Sequence, residues 1–103
     1  MTKFSKSKWT VPTLRKQFQQ VGEQIKFARL RRNLSIELVA ERAQCSRTTV
    51  MKVEKGNPTV SFGVVGRVLF ALQMSSDLLL IAGNDHLGQL IQDSELRKRA
   101  SKK

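Results

Sequence analysis

Apolar residues recur along this chain at helical spacing, in short blocks broken by polar or turn-forming residues. The clearest case is residues 36–56, IELVAERAQCSRTTVMKVEKG. Ile36, Val39, Ala40 and Ala43 make one apolar stripe, on a helix for which Ser35 is the expected N-cap. Gln44, Cys45 and Ser46 interrupt it, and a second stripe restarts at Val50 and Val53 with Ser46 placed to cap its first turn. Two helices joined this tightly cannot lie parallel. Ala40 leaves room for them to cross, which suits a helix-turn-helix unit. Arg47, Thr48, Thr49 and Lys52 then face outward, as on any solvated helix, but they are also the types that suit base edges: bidentate Arg to guanine, Lys to guanine, Thr with a hydroxyl and a methyl.

The flanking pattern predicts an all-α chain. Pro12 suits a first helical turn, so a short helix is expected from Thr13 toward Gln20, ending before Gly22. Val21, Ile25, Ala28 and Arg32 mark the next helix, with Phe27 and Leu30 widening its apolar side and an end near Asn33. Gly56-Asn57-Pro58 is a strong stop. Ser61 is placed to cap a helix whose core face is Val64, Val65, Val68, Leu69 and Leu72, and Ser75 or Ser76 to cap another from Asp77 to Ala82. After Gly83-Asn84 a last helix runs from Leu87 to about Lys98, with Leu87, Leu90 and Ile91 on one face. The organisation expected is a basic arm with a short helix over 1–20, a helix-turn-helix domain over 21–83, and a C-terminal helix and basic tail over 84–103. Residues 1–11 are polar, basic and aperiodic. They read as a disordered or mobile arm able to touch DNA backbone or minor groove, with Trp9 free to pack on the domain or a partner.

Charge shifts the reading of the exposed helix face. Of 103 residues, 19 are Lys or Arg and 8 are Asp or Glu, a formal net charge of +11. The first twenty residues hold five bases and no acid, whereas residues 21–83 hold nine bases against five acids. A polyanion is the expected partner, and nucleic acid the commonest one. A membrane is not: the run from Leu78 to Ala82 is far too short to cross a bilayer, and the termini lack a long basic amphipathic helix. The N-terminal lysines precede no apolar stretch and the single cysteine has no partner, so a cytoplasmic protein is expected.

Nothing in the sequence points to catalysis, a metal or a cofactor. Cys45 sits in the turn where small apolar side chains pack, and His86 lacks companion ligands at useful spacing. Glu37 and Glu41 share a solvated helix face, and no GKS or GKT follows Gly63 and Gly66.

From Val21 to about Ala82, the segments IKFARLRR, LSIELVAERAQCSRTTVMKVEKG and NPTVSFGVVGRVLFALQMSSDLLL resemble the lambda-repressor-like helix-turn-helix regulators, the XRE family. The resemblance implies a five-helix bundle, here with a C-terminal helical extension, whose third helix enters the DNA major groove. It also implies a homodimer on a palindromic operator. Arg47, Thr48, Thr49 and Lys52 fall on the base-facing positions and Ser46 on the capping position, while Arg29 and Glu54 match a pair that often bridges the first and third helices. Two positions depart from the pattern. Ile36 stands where a phosphate-binding Gln is usual, and Gln44 where the turn often has Gly, at a cost if φ is positive there. A slightly longer helix before the turn would remove that cost. Phosphates are expected at Ser46, Lys55 and the Asn57 loop, with help from Arg31, Arg32 or Arg42. Beyond Gly83, LGQLIQDSELRKR is similar to the C-terminal parts of HipB-like antitoxins paired with a HipA-type kinase toxin. The same Leu87, Leu90 and Ile91 would equally serve a dimerising or core-covering helix in a free-standing repressor, and an adaptor binding only proteins is the remaining class.

Overall fold

A computed structural model describes residues 11–101 and is all-helical over them. Five α-helices and one 3-10 helix follow in order: α1 (Pro12–Arg31), α2 (Ile36–Ala43), α3 (Arg47–Glu54), α4 (Phe62–Ala71), the 3-10 helix Ser75–Leu80, and α5 (His86–Ser101). Expectations for residues 1–10, Trp9 included, and for Lys102 and Lys103 lie outside the described residues.

The serine caps form where the pattern put them. Ser35, Ser46 and Ser61 each have extended backbone, and each hydroxyl accepts from the amide three residues on: Leu38 at 3.0 Å, Thr49 at 3.1 Å and Val64 at 3.1 Å. Such a bond satisfies one of the amides a helix start leaves orphaned. Ser75 and Ser76 cap nothing, and the expected α-helix from Asp77 to Ala82 is instead the 3-10 turn Ser75–Leu80. Leu78, Leu79 and Leu80 are consecutive rather than three or four apart, so they cannot share one helix face. Only Leu78 is partly buried.

The expected break before Gly22 is absent. A single helix runs from Pro12, which occupies its first turn, to Arg31, so residues 20 and 21 lie mid-helix. Gly22 is buried, and a Cβ there would lie 2.6 Å from the Glu54 carbonyl oxygen and the Gly56 nitrogen. Gly56, at φ +71°, mirrors it, for a Cβ on Gly56 would strike the backbone of Phe18 and Gln19. Glycine therefore marks a close crossing of α1 over the end of α3, not a helix end. Gly22→Ala is expected to lower stability by about 1–3 kcal/mol despite alanine's better helix propensity, because the clash is with backbone that no rotamer change relieves. Urea unfolding checks this, and a rise in midpoint would mean that α1 can shift away.

The buried apolar core is small: Ile25 and Ala28 of α1, Val39, Ala40 and Ala43 of α2, Val50 and Val53 of α3, and Val68, Ala71 and Leu72 from α4 and its end. The helix-turn-helix stripes and the α4 face pack as patterned, with Val64, Val65 and Leu69 half-buried against the core. On α1 the reading holds at Ile25 and Ala28 and fails at its other positions. Val21, Phe27, Leu30 and Arg32 are exposed, and the buried face is Gly22, Ile25, Ala28 and Arg29. Gly22 admits the close crossing, while Ile25, Ala28 and the charged Arg29 fill the rest of that face. α5 begins at His86 and covers no core, since Leu87, Leu90 and Ile91 are all exposed.

Candidate nucleic-acid interface

The second helix of the pair is held rigidly. Val50 and Val53 anchor α3 from below, and at its end Glu54 grips Arg29 of α1 through two bonds, Nε to Oε2 at 2.7 Å and Nη2 to Oε1 at 3.2 Å. Both side chains are at least nine-tenths buried, and the remaining guanidinium nitrogen, Nη1, donates to the Leu34 carbonyl at 3.0 Å. One salt bridge thus ties α1, the α1–α2 turn and α3 together. The turn before α3 is as tight as the spacing implied. α2 stops at Ala43, and Gln44 takes the left-handed conformation at φ 55°, so no helix extension spares it. The Cys45 amide closes the turn by donating to the Ala40 carbonyl at 3.0 Å. A non-glycine residue in this region costs about 1–2 kcal/mol.

On the outer face of α3, Arg47, Thr48 and Lys52 are exposed together. Thr49 is half-buried, and its hydroxyl is hydrogen-bonded to Ser46 Oγ at 2.8 Å, so it is the least presented of the four base-contact candidates. Ser46 combines two bonds, accepting from the Thr49 amide while pairing with the Thr49 hydroxyl. Lys55 is exposed just past α3. Asn57 is half-buried, with Oδ1 accepting from the amide and the hydroxyl of Thr59 at 2.9 and 2.6 Å, which shapes the α3–α4 loop. Arg31 and Arg32 are exposed at the end of α1, where Arg32 Nη1 donates to the Ala28 carbonyl at 2.9 Å. Arg42 sits elsewhere, at the edge of a groove between α2 and α4 beside Phe70 and Arg67.

Two participants had no sequence signal. Glu37, in the first turn of α2, pairs with Arg47 Nε at 3.0 Å with both side chains more than half exposed, so an acid stands next to the foremost base-contact candidate. Arg67 of α4 donates from Nε to the Ala43 carbonyl at 2.9 Å and closes the end of α2. Both contacts join separate elements, which helical spacing cannot reveal. Ile36 is half-buried and packs against the core, a role the usual polar residue there would not fill. Burial pushes the Cys45 thiol above its ordinary value, more than the nearby Arg67 draws it down, as suits a packed rather than a reactive cysteine. Among the described residues, no cluster of His, Cys, Asp or Glu could hold a metal ion, and no helix is long and apolar enough to cross a membrane.

A family profile described as a helix-turn-helix domain matches residues 20–80. No curated protein and no solved structure matches the chain significantly.

Proposed function

Because the chain belongs to the helix-turn-helix domain family, we propose that it is a cytoplasmic transcriptional regulator that binds double-stranded DNA in a sequence-specific way, as a homodimer on a palindromic operator, and represses the promoter it covers. One observation carries this reading: α3 exposes Arg47, Thr48 and Lys52 from a helix clamped to the core by the buried Arg29–Glu54 pair. A rigid helix with an exposed basic face can be laid in the major groove without an ordering cost. Base contacts fall to Arg47, Thr48, Lys52 and, through its methyl, Thr49. Phosphate contacts fall to Ser46, Lys55, the Asn57 loop, Arg31 and Arg32, with Arg42 further out. In a two-fold dimer the two α3 helices lie about 34 Å apart, one turn of DNA.

The C-terminal resemblance supports a narrower role, as the antitoxin of a HipA-type kinase toxin that represses its own operon. A neighbouring gene for such a kinase, and its co-purification with this chain, would support that role. Without them the free-standing repressor stands. The primary test is a footprint on the DNA upstream of the protein's own gene, and no protection on any genomic fragment would leave the protein-only adaptor.

Arg47→Ala is expected to weaken cognate binding by about 1–3 kcal/mol and to relax discrimination at one base pair. Quantitative band-shift titration on cognate and randomised DNA separates the roles. Equal losses on both would make Arg47 a phosphate contact.

A further inference from the structure

The acid beside the exposed face of α3 does not hold the fold together. Glu37 Oε2 meets Arg47 Nε at 3.0 Å with the two side chains 64% and 62% exposed, and a pair so open to water adds little to stability. Its two ends are nevertheless fixed in place. Glu37 follows the Ser35 cap and Ile36, which packs against the core, while Arg47 follows the Ser46 cap at the start of α3. The ion pair therefore spans two anchored first turns, across the turn that joins α2 to α3.

An arginine at the start of an exposed helix can reach phosphate oxygens as readily as base edges, and its long stem is free to take many rotamers. Glu37 narrows that choice in two ways. It occupies Nε, the side donor, and leaves the terminal groups Nη1 and Nη2, which meet no acceptor among the described residues. These two form a fork for paired acceptors. In the major groove only guanine offers two, O6 and N7, whereas adenine and cytosine each present an amino donor and thymine a single oxygen beside a methyl. The carboxylate also repels phosphate oxygens, so a move of Arg47 to the backbone would strand Glu37 among like charges. Taking the pair out of water costs free energy, and only a base that fills both Nη donors returns it.

We infer that Glu37 is a positioning residue that sets base choice: it holds Arg47 end-on to a guanine and penalises any other base at that position. The inference rests on the DNA-binding reading and deepens it, giving specificity to a residue that itself touches no base. An acid in the first turn of α2 also suits the helix dipole, but that role would change stability and no base preference.

Selection of sites from a randomised duplex pool by the full chain gives the preferred operator, and Arg47→Ala marks the base pair that Arg47 reads. Titrations then compare guanine with adenine at that pair for the wild type, Glu37→Ala, Arg47→Ala and the double variant. The wild type is expected to prefer guanine by about 5- to 150-fold, the range of a bidentate arginine. Glu37→Ala is expected to lower that preference about fivefold, a coupling typical of contacting side chains, and to bind random DNA more tightly. In the Arg47→Ala background the same change is expected to leave base preference unaltered. An undiminished guanine preference in Glu37→Ala would overturn the inference, as would an equal loss with and without Arg47, a wild-type preference for another base, or an Arg47→Ala variant that flattens no position. A lowered melting temperature for Glu37→Ala with an intact base preference would leave only the helix-dipole role. The two readings part at the selection step: a wild type that selects no sequence sinks the regulator and the inference together, whereas a selected operator whose base profile ignores Glu37 sinks the inference alone.

Discussion

Glu54→Ala is expected to lower the unfolding free energy by about 3–5 kcal/mol, the usual cost of removing one partner from a buried ion pair. The carboxylate accepts two of the three hydrogen bonds that the Arg29 guanidinium donates, at 2.7 and 3.2 Å, and the side chains are only 9% and 6% exposed. Without Glu54, Arg29 keeps only the Leu34 carbonyl and remains a positive charge in a small core. Small domains are stable by about 5–15 kcal/mol, so the loss would take a large share of the total. Urea unfolding followed by circular dichroism measures it. The pair's net value is a separate quantity. Arg29→Met with Glu54→Leu removes both charges and is expected to recover most of the loss, since replacing a buried pair by apolar residues is often neutral. A drop below about 1 kcal/mol for Glu54→Ala would show that water reaches the guanidinium. The double variant also bears on function, because α3 would then be held to α1 by packing alone and cognate affinity should fall even where stability is restored.

Local signals were the legible ones. Ser35, Ser46 and Ser61 cap helices as the spacing implied, because a cap involves residues only three apart. The Val39, Ala40, Ala43 and Val50, Val53 stripes are buried for the same reason. Gly22 misled because poor helix propensity and a close helix crossing both select glycine, and only the positions of Glu54 and Gly56 tell them apart. The α1 stripe was right at Ile25 and Ala28 but missed Gly22 and the charged Arg29, because periodicity counts apolar side chains and neither a glycine nor an arginine registers as one. The Arg29–Glu54 bridge spans 25 residues and came from family resemblance alone, and the Glu37–Arg47 pair came from neither source. Of the base-contact candidates, Arg47, Thr48 and Lys52 share an exposed face, while Thr49 turns inward to serve the Ser46 cap.

Affinity for DNA is expected to fall with added salt at a slope of about −7 in log affinity against log salt, for a dimer that neutralises on the order of eight phosphates. Between 50 and 200 mM salt this is a loss of roughly 10⁴-fold, larger than the effect of any single side chain. The premise is the formal charge of +11, with Arg31 exposed in the last turn of α1 and Arg32 and Lys55 exposed just past the ends of α1 and α3. Each lysine or arginine that meets a phosphate releases about one condensed counterion, so Lys55→Ala should lower the magnitude of the slope by about 2 per dimer and weaken cognate and random DNA alike. Arg47→Ala should instead leave the slope nearly unchanged while cognate affinity falls, since contact with a base edge releases no counterion. Glu37 adds a third, opposite case. Its carboxylate holds Arg47 at 3.0 Å and repels the phosphates around it, so Glu37→Gln should raise affinity for random DNA and steepen the slope. Fluorescence anisotropy across a salt series measures all four proteins. A wild-type slope near zero would sink the polyanion reading, whereas equal slope changes for Lys55→Ala and Arg47→Ala would move Arg47 from the bases to the backbone.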